Sequence, residues 1–283
     1  MLEDLQVEDG MRVLEIGTGS GYSTGLLCHR LGSDKVTSIE VDPAVAARAR
    51  DALHDAGYAP MLVVGDGLAG CRGTAPHDRV IATCSVRRLP SAWLDQTCPG
   101  GIILCTISGW LYGSGLARLE MARADTAEGR FLPQHVSFMI ARPHAPHDIS
   151  TDAILALVRR DGEERKTRLT PAVLDDWTSR FVAQLAAPSA RLVRMSVDDG
   201  PMATHLIDDE RQASATFVPT SEEGEFIVRQ AGPARLWDDI EESVAAWRRA
   251  GAPGMDMFNI RATPTVQTVW LETGEGRLSW ILP

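Results

Sequence analysis

Short apolar runs alternate with longer segments of helical period through the first half of the chain. Residues 12–16, 35–40, 61–65, 79–83 and 102–107 are rich in Val, Ile and Leu and only five or six residues long, which predicts five strands. Between them, 21–31 and 43–56 read as helices. Strand and helix alternating at this spacing predict a parallel sheet covered on both faces, a Rossmann-like arrangement. Two further apolar stretches, 116–122 and 134–141, follow without a clear helix between them and are expected to form an antiparallel edge. The string RPHAPHDIS (142–150) reads as a connector.

The pattern then changes, and a second, α+β region is expected over 148–283 after a first domain over 1–147. Thr170-Pro171 starts a helical stretch with Leu174, Trp177, Phe181 and Leu185 in phase. A second helix, 234–250, places Leu236, Ile240, Val244 and Trp247 on one face. Residues 266–272 and 277–282 flank Thr273-Gly-Glu-Gly276 and predict a β-hairpin.

Composition narrows the class. The 283 residues carry 28 Lys and Arg against 38 Asp and Glu, a net charge of −10. Residues 1–147 hold 13 basic and 16 acidic side chains, the remainder 15 and 22. No basic cluster offers itself to phosphates, so no nucleic-acid partner is expected. Apolar runs such as Gly101–Ile107 are far shorter than the roughly 20 residues of a bilayer crossing, so no membrane partner is expected either. The acidic start MLEDLQVEDG lacks the flanks of a secretory signal, which argues for a cytoplasmic site. Five scattered cysteines with no CxxC pair read as free thiols, and no metal site is expected. His144, His147 and Asp148 are better read as a Pro-rich linker than as metal ligands.

The candidate chemistry lies at the strand ends. LEIGTGSGY (14–22) follows the first strand and opens a helix, and Gly17, Gly19 and Gly21 permit a tight turn and close approach of a ligand. A dinucleotide fingerprint requires glycine where Tyr22 stands. Glu40, ending the second strand in SIEVDP, can accept bonds from both ribose hydroxyls of a nucleoside. Asp66, in GDG after the third strand, can accept from an adenine amino group.

In this order, LEIGTGSGY, SIEVDP, GDGLAG and the CPGG at 98–101 resemble the class I S-adenosylmethionine-dependent methyltransferases. With APHD (75–78), VIAT (80–83), Leu89-Pro90 and LDQ (94–96), residues 2–110 look like the protein-L-isoaspartate O-methyltransferases. The resemblance implies a cofactor site of Glu15, near the methionine ammonium, with Gly17, Thr18, Gly19, Ser20, Gly21, Tyr22, Glu40, Val41, Asp66, Gly67 and Thr83. Thr83, Ser85 and Arg87, with Arg88 adjacent, sit just beyond the fourth strand, where such sheets present ligands, and are the candidate acceptor side, an arginine there being able to hold a peptide carboxylate. Family members carry a Ser-Ala-Pro substrate loop upstream of the first strand. Here the sequence begins about ten residues before that strand, so the start is truncated or the acceptor loop comes from elsewhere.

The tail departs from the repair enzymes. Pro201-Met-Ala-Thr-His-Leu206, the helix around Trp237 and Trp247, and the closing VQTVW (266–270) and WILP (280–283) resemble extended relatives found beside peptide-maturation enzymes. That likeness implies methylation of an aspartate in a ribosomally made precursor of graspetide or lanthipeptide type, giving aspartimide or isoaspartate, with a maturation ligase as associate. The alternatives are isoaspartyl repair and a cofactor-binding module that presents a peptide without methylating it. Trp177, Trp237, Trp247, Trp270 and Trp280 are expected chiefly in the core, with one or two at a substrate-facing rim.

Overall fold

The computed structural model describes residues 1–167, 169–198, 200–220 and 225–283. A short helix, α1 (Leu2–Leu5), leads into β1 (Val13–Ile16), α2 (Tyr22–Leu31), β2 (Val36–Glu40), α3 (Pro43–Asp55) and β3 (Met61–Val64). Then come β4 (His77–Val86), α4 (Ser91–Gln96), β5 (Thr97–Ser108), β6 (Ser114–Arg123) and β7 (Thr126–Phe131). The strands lie in the order β3-β2-β1-β4-β5-β6-β7, with β3 to β5 parallel and β6 and β7 antiparallel. All four residues of β1 are buried, as a central parallel strand covered on both faces requires. Asp42 caps α3 by accepting from the amides of Ala44 and Val45 at 2.9 and 3.2 Å.

The antiparallel edge is present, but one of its expected strands is not. Residues 134–141 run extended without joining a sheet and touch β4 through a single bridge from Ile140 to Ser85. The edge position belongs instead to β7, whose sequence TAEGRF has too weak an alternation to announce a strand.

The second region comprises α5 (Thr151–Val158), β8 (Glu163–Thr167), α6 (Trp177–Ala186), β9 (Arg191–Met195), β10 (Ala203–Asp208), β11 (Ala213–Pro219), β12 (Phe226–Ala231) and α7 (Leu236–Arg249). Its five strands form a separate antiparallel sheet in the order β8-β12-β11-β10-β9. The chain then continues through β13 (Phe258–Ala262) and the expected hairpin, β14 (Gln267–Thr273) and β15 (Gly276–Ile281). These three do not stay with the second sheet. β13 pairs antiparallel with β7 and extends the first sheet to ten strands, so a boundary near residue 147 does not separate the two sheets. The physical reason is edge closure: β7 presents unpaired backbone groups, and β13 covers them while burying Phe258, Ile260 and Ala262.

One apolar cluster joins the layers. It runs from Leu14 and Val80 through Phe131, Phe181 and Phe258 to Phe217 and Trp237. Trp237 and Trp247 are buried, whereas Trp177, Trp270 and Trp280 are partly covered. Among the described residues no helix is long and apolar enough to cross a membrane.

Candidate active site

The order of the parallel strands reverses between β1 and β4, and an open α/β sheet offers its ligand crevice at the carboxyl ends of such strands. A crevice of about 370 Å³ lies there, lined by Gly17, Gly19, Glu40, Val41, Asp66, Gly67 and Thr83 among others. These seven come from four different strand ends and belong to the set expected from the sequence.

The glycine loop is tied down from both sides. The amides of Gly17 and Thr18 donate to the Ile39 carbonyl at 2.8 and 3.2 Å. Thr83 donates its hydroxyl to the Gly17 carbonyl at 2.5 Å. Gly17 sits at φ +94°, and a Cβ there would lie 2.8 Å from the Thr83 hydroxyl oxygen. Gly19, at φ +55°, has open space where its Cβ would project. The loop thus keeps a flat, unobstructed backbone toward the crevice, the form a sugar or phosphate-sized group needs for close approach.

Glu40 is held in place before any ligand arrives. One carboxylate oxygen accepts from the Gly19 amide at 3.0 Å and the other from the Asp42 amide at 3.1 Å. Each oxygen keeps a further lone pair, so the pinned carboxylate can still receive two vicinal hydroxyls. Asp66 gives one oxygen to the Leu68 amide at 2.9 Å and caps the short turn that follows β3. With Asp42 also on the rim, three carboxylates surround the cavity, an electrostatic setting that favours a ligand carrying positive charge.

Other expected residues lie elsewhere. Glu15 is sealed beneath the loop, where it accepts from the hydroxyls of Ser23, Thr24 and Ser38. Burial raises its pKa against the opposing effect of those bonds. Thr18 is buried too, its hydroxyl 2.6 Å from that of Ser38, so both residues brace the loop rather than line the crevice. Ser20, Gly21 and Tyr22 border a different groove, shared with Leu26, His29, Leu53 and Tyr58.

Of the expected acceptor side, Thr83 lines the crevice, whereas Ser85 and Arg87 lie outside it. Ile81 pairs with Leu104 and Ser85 with Thr106, so three residues of β4, Ala82, Thr83 and Cys84, stand against Cys105 alone on β5, a bulge centred on Thr83. A bulge re-aims the side chains beyond it. Ser85 is buried and donates its hydroxyl to the Phe138 carbonyl at 2.9 Å. Arg87 donates to the Pro188 carbonyl and Ser189 hydroxyl, both at 3.1 Å, and stacks 4.1 Å from the Trp110 ring centre, with Arg191 at 4.9 Å. Neither lines the crevice, and Arg87 instead fastens the first sheet to the second region. His144 accepts from the Arg87 amide, whereas His147 pairs with Asp209, so the two histidines serve different contacts. None of the five tail tryptophans lines the crevice.

The sequence reading missed the opposite wall. Met139, Ile140, Ala141, Arg142 and Pro143 close one side of the cavity, from the stretch expected to be a strand and a connector. The Ser85 amide donates to the Met139 carbonyl at 2.9 Å, and the Ala141 amide donates to the Ser85 carbonyl at 2.8 Å, which fixes this wall on β4. Cys84 completes the lining. Burial pushes its thiol up to about 11, with the Glu40 and Asp66 charges adding to the effect, so it stays protonated and is no nucleophile near neutral pH.

The sheet and its crevice define a mixed α/β, methyltransferase-like fold with a parallel core and an antiparallel edge, joined by a separate antiparallel sheet. Residues 1–126 match the family model described as Protein-L-isoaspartate(D-aspartate) O-methyltransferase (PCMT). The protein-L-isoaspartate O-methyltransferase of Anaeromyxobacter dehalogenans (strain 2CP-1 / ATCC BAA-258) is 46% identical over 103 residues, covering 36% of this chain and 48% of that protein. Protein-L-isoaspartate O-methyltransferase 2 of Rhodopseudomonas palustris (strain HaA2) is 39% identical over 133 residues, 47% of this chain and 58% of that protein. The chain spans about half the length of the curated relatives it matches. A solved protein-L-isoaspartate O-methyltransferase has a likeness in fold, with a TM-score of 0.50 at 19% identity, over 93% of this chain and 75% of that one.

Proposed function

We propose that the protein is an S-adenosylmethionine-dependent carboxyl O-methyltransferase whose acceptor is an aspartyl or isoaspartyl carboxylate in a peptide or protein. The observation that carries this reading is Glu40, pinned by two backbone amides at the switch point, in a crevice it shares with the open glycine loop and Asp66. Gly19 leaves room for the nucleoside, Glu40 would receive the ribose hydroxyls and Asp66 the adenine amino group. The surrounding carboxylates suit a sulfonium cation. When bound, the cofactor supplies an electrophilic methyl group whose bond to sulfur breaks, the electron pair staying on sulfur, as an acceptor oxygen bonds to carbon.

An aspartyl carboxylate has a reference pKa near about 4 and is ionised at neutral pH, so the transfer needs no base. That agrees with the lining. The Thr83 hydroxyl is committed to backbone carbonyls, and Cys84 keeps its proton. What remains for the chain is to hold the acceptor in line at roughly 3 Å and to exclude water. The wall at 139–143 and the bulge at Thr83 line the cavity where that would take place.

The narrower reading, that the acceptor is an aspartate of a ribosomally made precursor and that a maturation ligase is an associate, rests on the tail motifs alone. Incubation with methyl-labelled cofactor decides between the readings, using an isoaspartyl peptide and, separately, a cyclised precursor bearing aspartate. Transfer to the precursor alone supports peptide maturation, and transfer to the isoaspartyl peptide alone supports repair. Cofactor binding with no transfer to either overturns the enzymatic reading.

A further inference from the structure

We propose that Arg142 is the acceptor-carboxylate receptor of the crevice: its guanidinium leaves Asp42 to bind the ionised carboxylate of the incoming peptide. The inference rests on the crevice being the methyl-transfer site and assigns the recognition of its second substrate.

An anionic acceptor faces an electrostatic obstacle here. Glu40, Asp42 and Asp66 line the cavity, and among the described residues Arg142 is the single cation that lines it with them. A carboxylate entering without a countercharge would be repelled by all three acids at short range. The cationic cofactor offsets part of this, and Arg142, on the wall formed by residues 139–143, offsets the rest. Arg87 cannot take the role, because its guanidinium is spent on Pro188, Ser189 and Trp110.

The contact Arg142 now makes is easily exchanged. One terminal nitrogen lies 3.3 Å from Asp42 Oδ2, and the two side chains are 69% and 34% exposed. An exposed pair at that separation contributes little. Among the described residues no other side-chain hydrogen bond or ion pair forms at Arg142, so most of its five N–H donors remain for a planar, bidentate acceptor. Asp42 does not follow when the pair opens, because its other oxygen caps α3 through Ala44 and Val45.

The backbone of Arg142 is fixed while its side chain is free. Ala141 is bonded to Ser85 on one side, and on the other the His144 ring accepts from the Arg87 amide at 3.1 Å. Exchange from Asp42 to the acceptor therefore needs only a side-chain rotation. Arg142 also lies beyond residue 126, where the family match ends, so the receptor belongs to the part of the chain that the family model does not cover.

Calorimetry on the full chain tests this, using S-adenosylhomocysteine alone and then, at saturation, an isoaspartyl peptide, an aspartyl peptide and the carboxamide analogue of each. The wild type is expected to prefer a carboxylate over its carboxamide by about tenfold or more, the range for a hydrogen-bonded charge pair. Arg142→Gln should abolish that preference, and Arg142→Lys should keep part of it, with nucleoside affinity equal in all three proteins. The peptide of the pair that shows the preference identifies the acceptor. Retained preference in Arg142→Gln overturns the proposal. So does a parallel loss of nucleoside affinity, which would mark Arg142 as a prop for the wall. A wild type that binds the nucleoside but shows no acid preference overturns this assignment and leaves the cofactor site standing. A wild type that binds no nucleoside overturns the functional reading and this inference with it.

Discussion

Glu40→Gln separates the two jobs assigned to that carboxylate. In the free protein its two oxygens satisfy two backbone amides, at 3.0 and 3.1 Å. A glutamine offers one oxygen, so either the Gly19 or the Asp42 amide must face an NH2 group. A donor left unsatisfied costs about 1–3 kcal/mol when dry. The crevice is open to water, which places the expected loss of stability near about 1 kcal/mol, a small downward shift of Tm. Ligand binding suffers a separate loss. Bonds from the ribose hydroxyls to a charged carboxylate become bonds to a neutral amide, and one hydroxyl loses its acceptor. A loss of about 1.5–3 kcal/mol corresponds to roughly 10- to 150-fold weaker binding. Titration of the variant with S-adenosylhomocysteine, beside thermal melts of the apo forms, reads both quantities. Wild-type affinity in a variant that is folded and slightly destabilised would refute the placement of the sugar on Glu40.

Two further outcomes check the scaffold. Gly17→Ala and Gly10→Ala both place alanine at positive φ, +94° and +83°, but only the first brings a Cβ within 2.8 Å of the Thr83 hydroxyl. The backbone strain, about 1–2 kcal/mol, is common to both, so denaturant unfolding should show Gly17→Ala to be the costlier by about the 1 kcal/mol of the disturbed Thr83 bond, and equal losses would contradict the strut. Burial holds the His205 pKa below its ordinary 6.5, and the nearby Arg229 charge adds to this, whereas the bond to the Met195 carbonyl opposes it. The unfolded chain therefore binds the extra proton first, and the stability His205 contributes is present above pH 6.5 and lost as pH falls through its folded value. Melts between about pH 7.5 and 5 should show the wild type losing more stability than His205→Gln, and parallel profiles would exclude this linkage.

The residues legible in the sequence were those whose role is fixed by local chain geometry. Gly17, Glu40 and Asp66 each follow a short apolar run directly, and a strand end in a parallel sheet has only one place to present its next residue. Ser85 and Arg87 were expected just beyond a strand ending at Thr83, whereas β4 runs on to Val86 through a bulge and carries them away from the crevice. The bulge leaves no mark in the residue types of Ala82, Thr83 and Cys84, since it is imposed by pairing with β5. Residues 134–141 show the converse. Val136, Phe138 and Ile140 alternate with more exposed neighbours as a strand would, yet their backbone finds no sheet edge, because β7 and then β13 occupy it.

The chain's own pattern determined that a parallel α/β sheet forms, that its glycine loop gathers with Glu40 and Asp66 at one edge, and that residues 266–282 form a hairpin. Those outcomes depend on periodicity and turn chemistry within a few residues of each position. Which sheet the hairpin joins, which wall closes the crevice and which arginine remains free for a ligand were decided by tertiary structure. Each depends on competition between segments more than 50 residues apart for one edge or one partner, as when Arg87 meets Pro188 and Ser189 while Arg142 meets Asp42. Local sequence carries no record of the loser in such a competition.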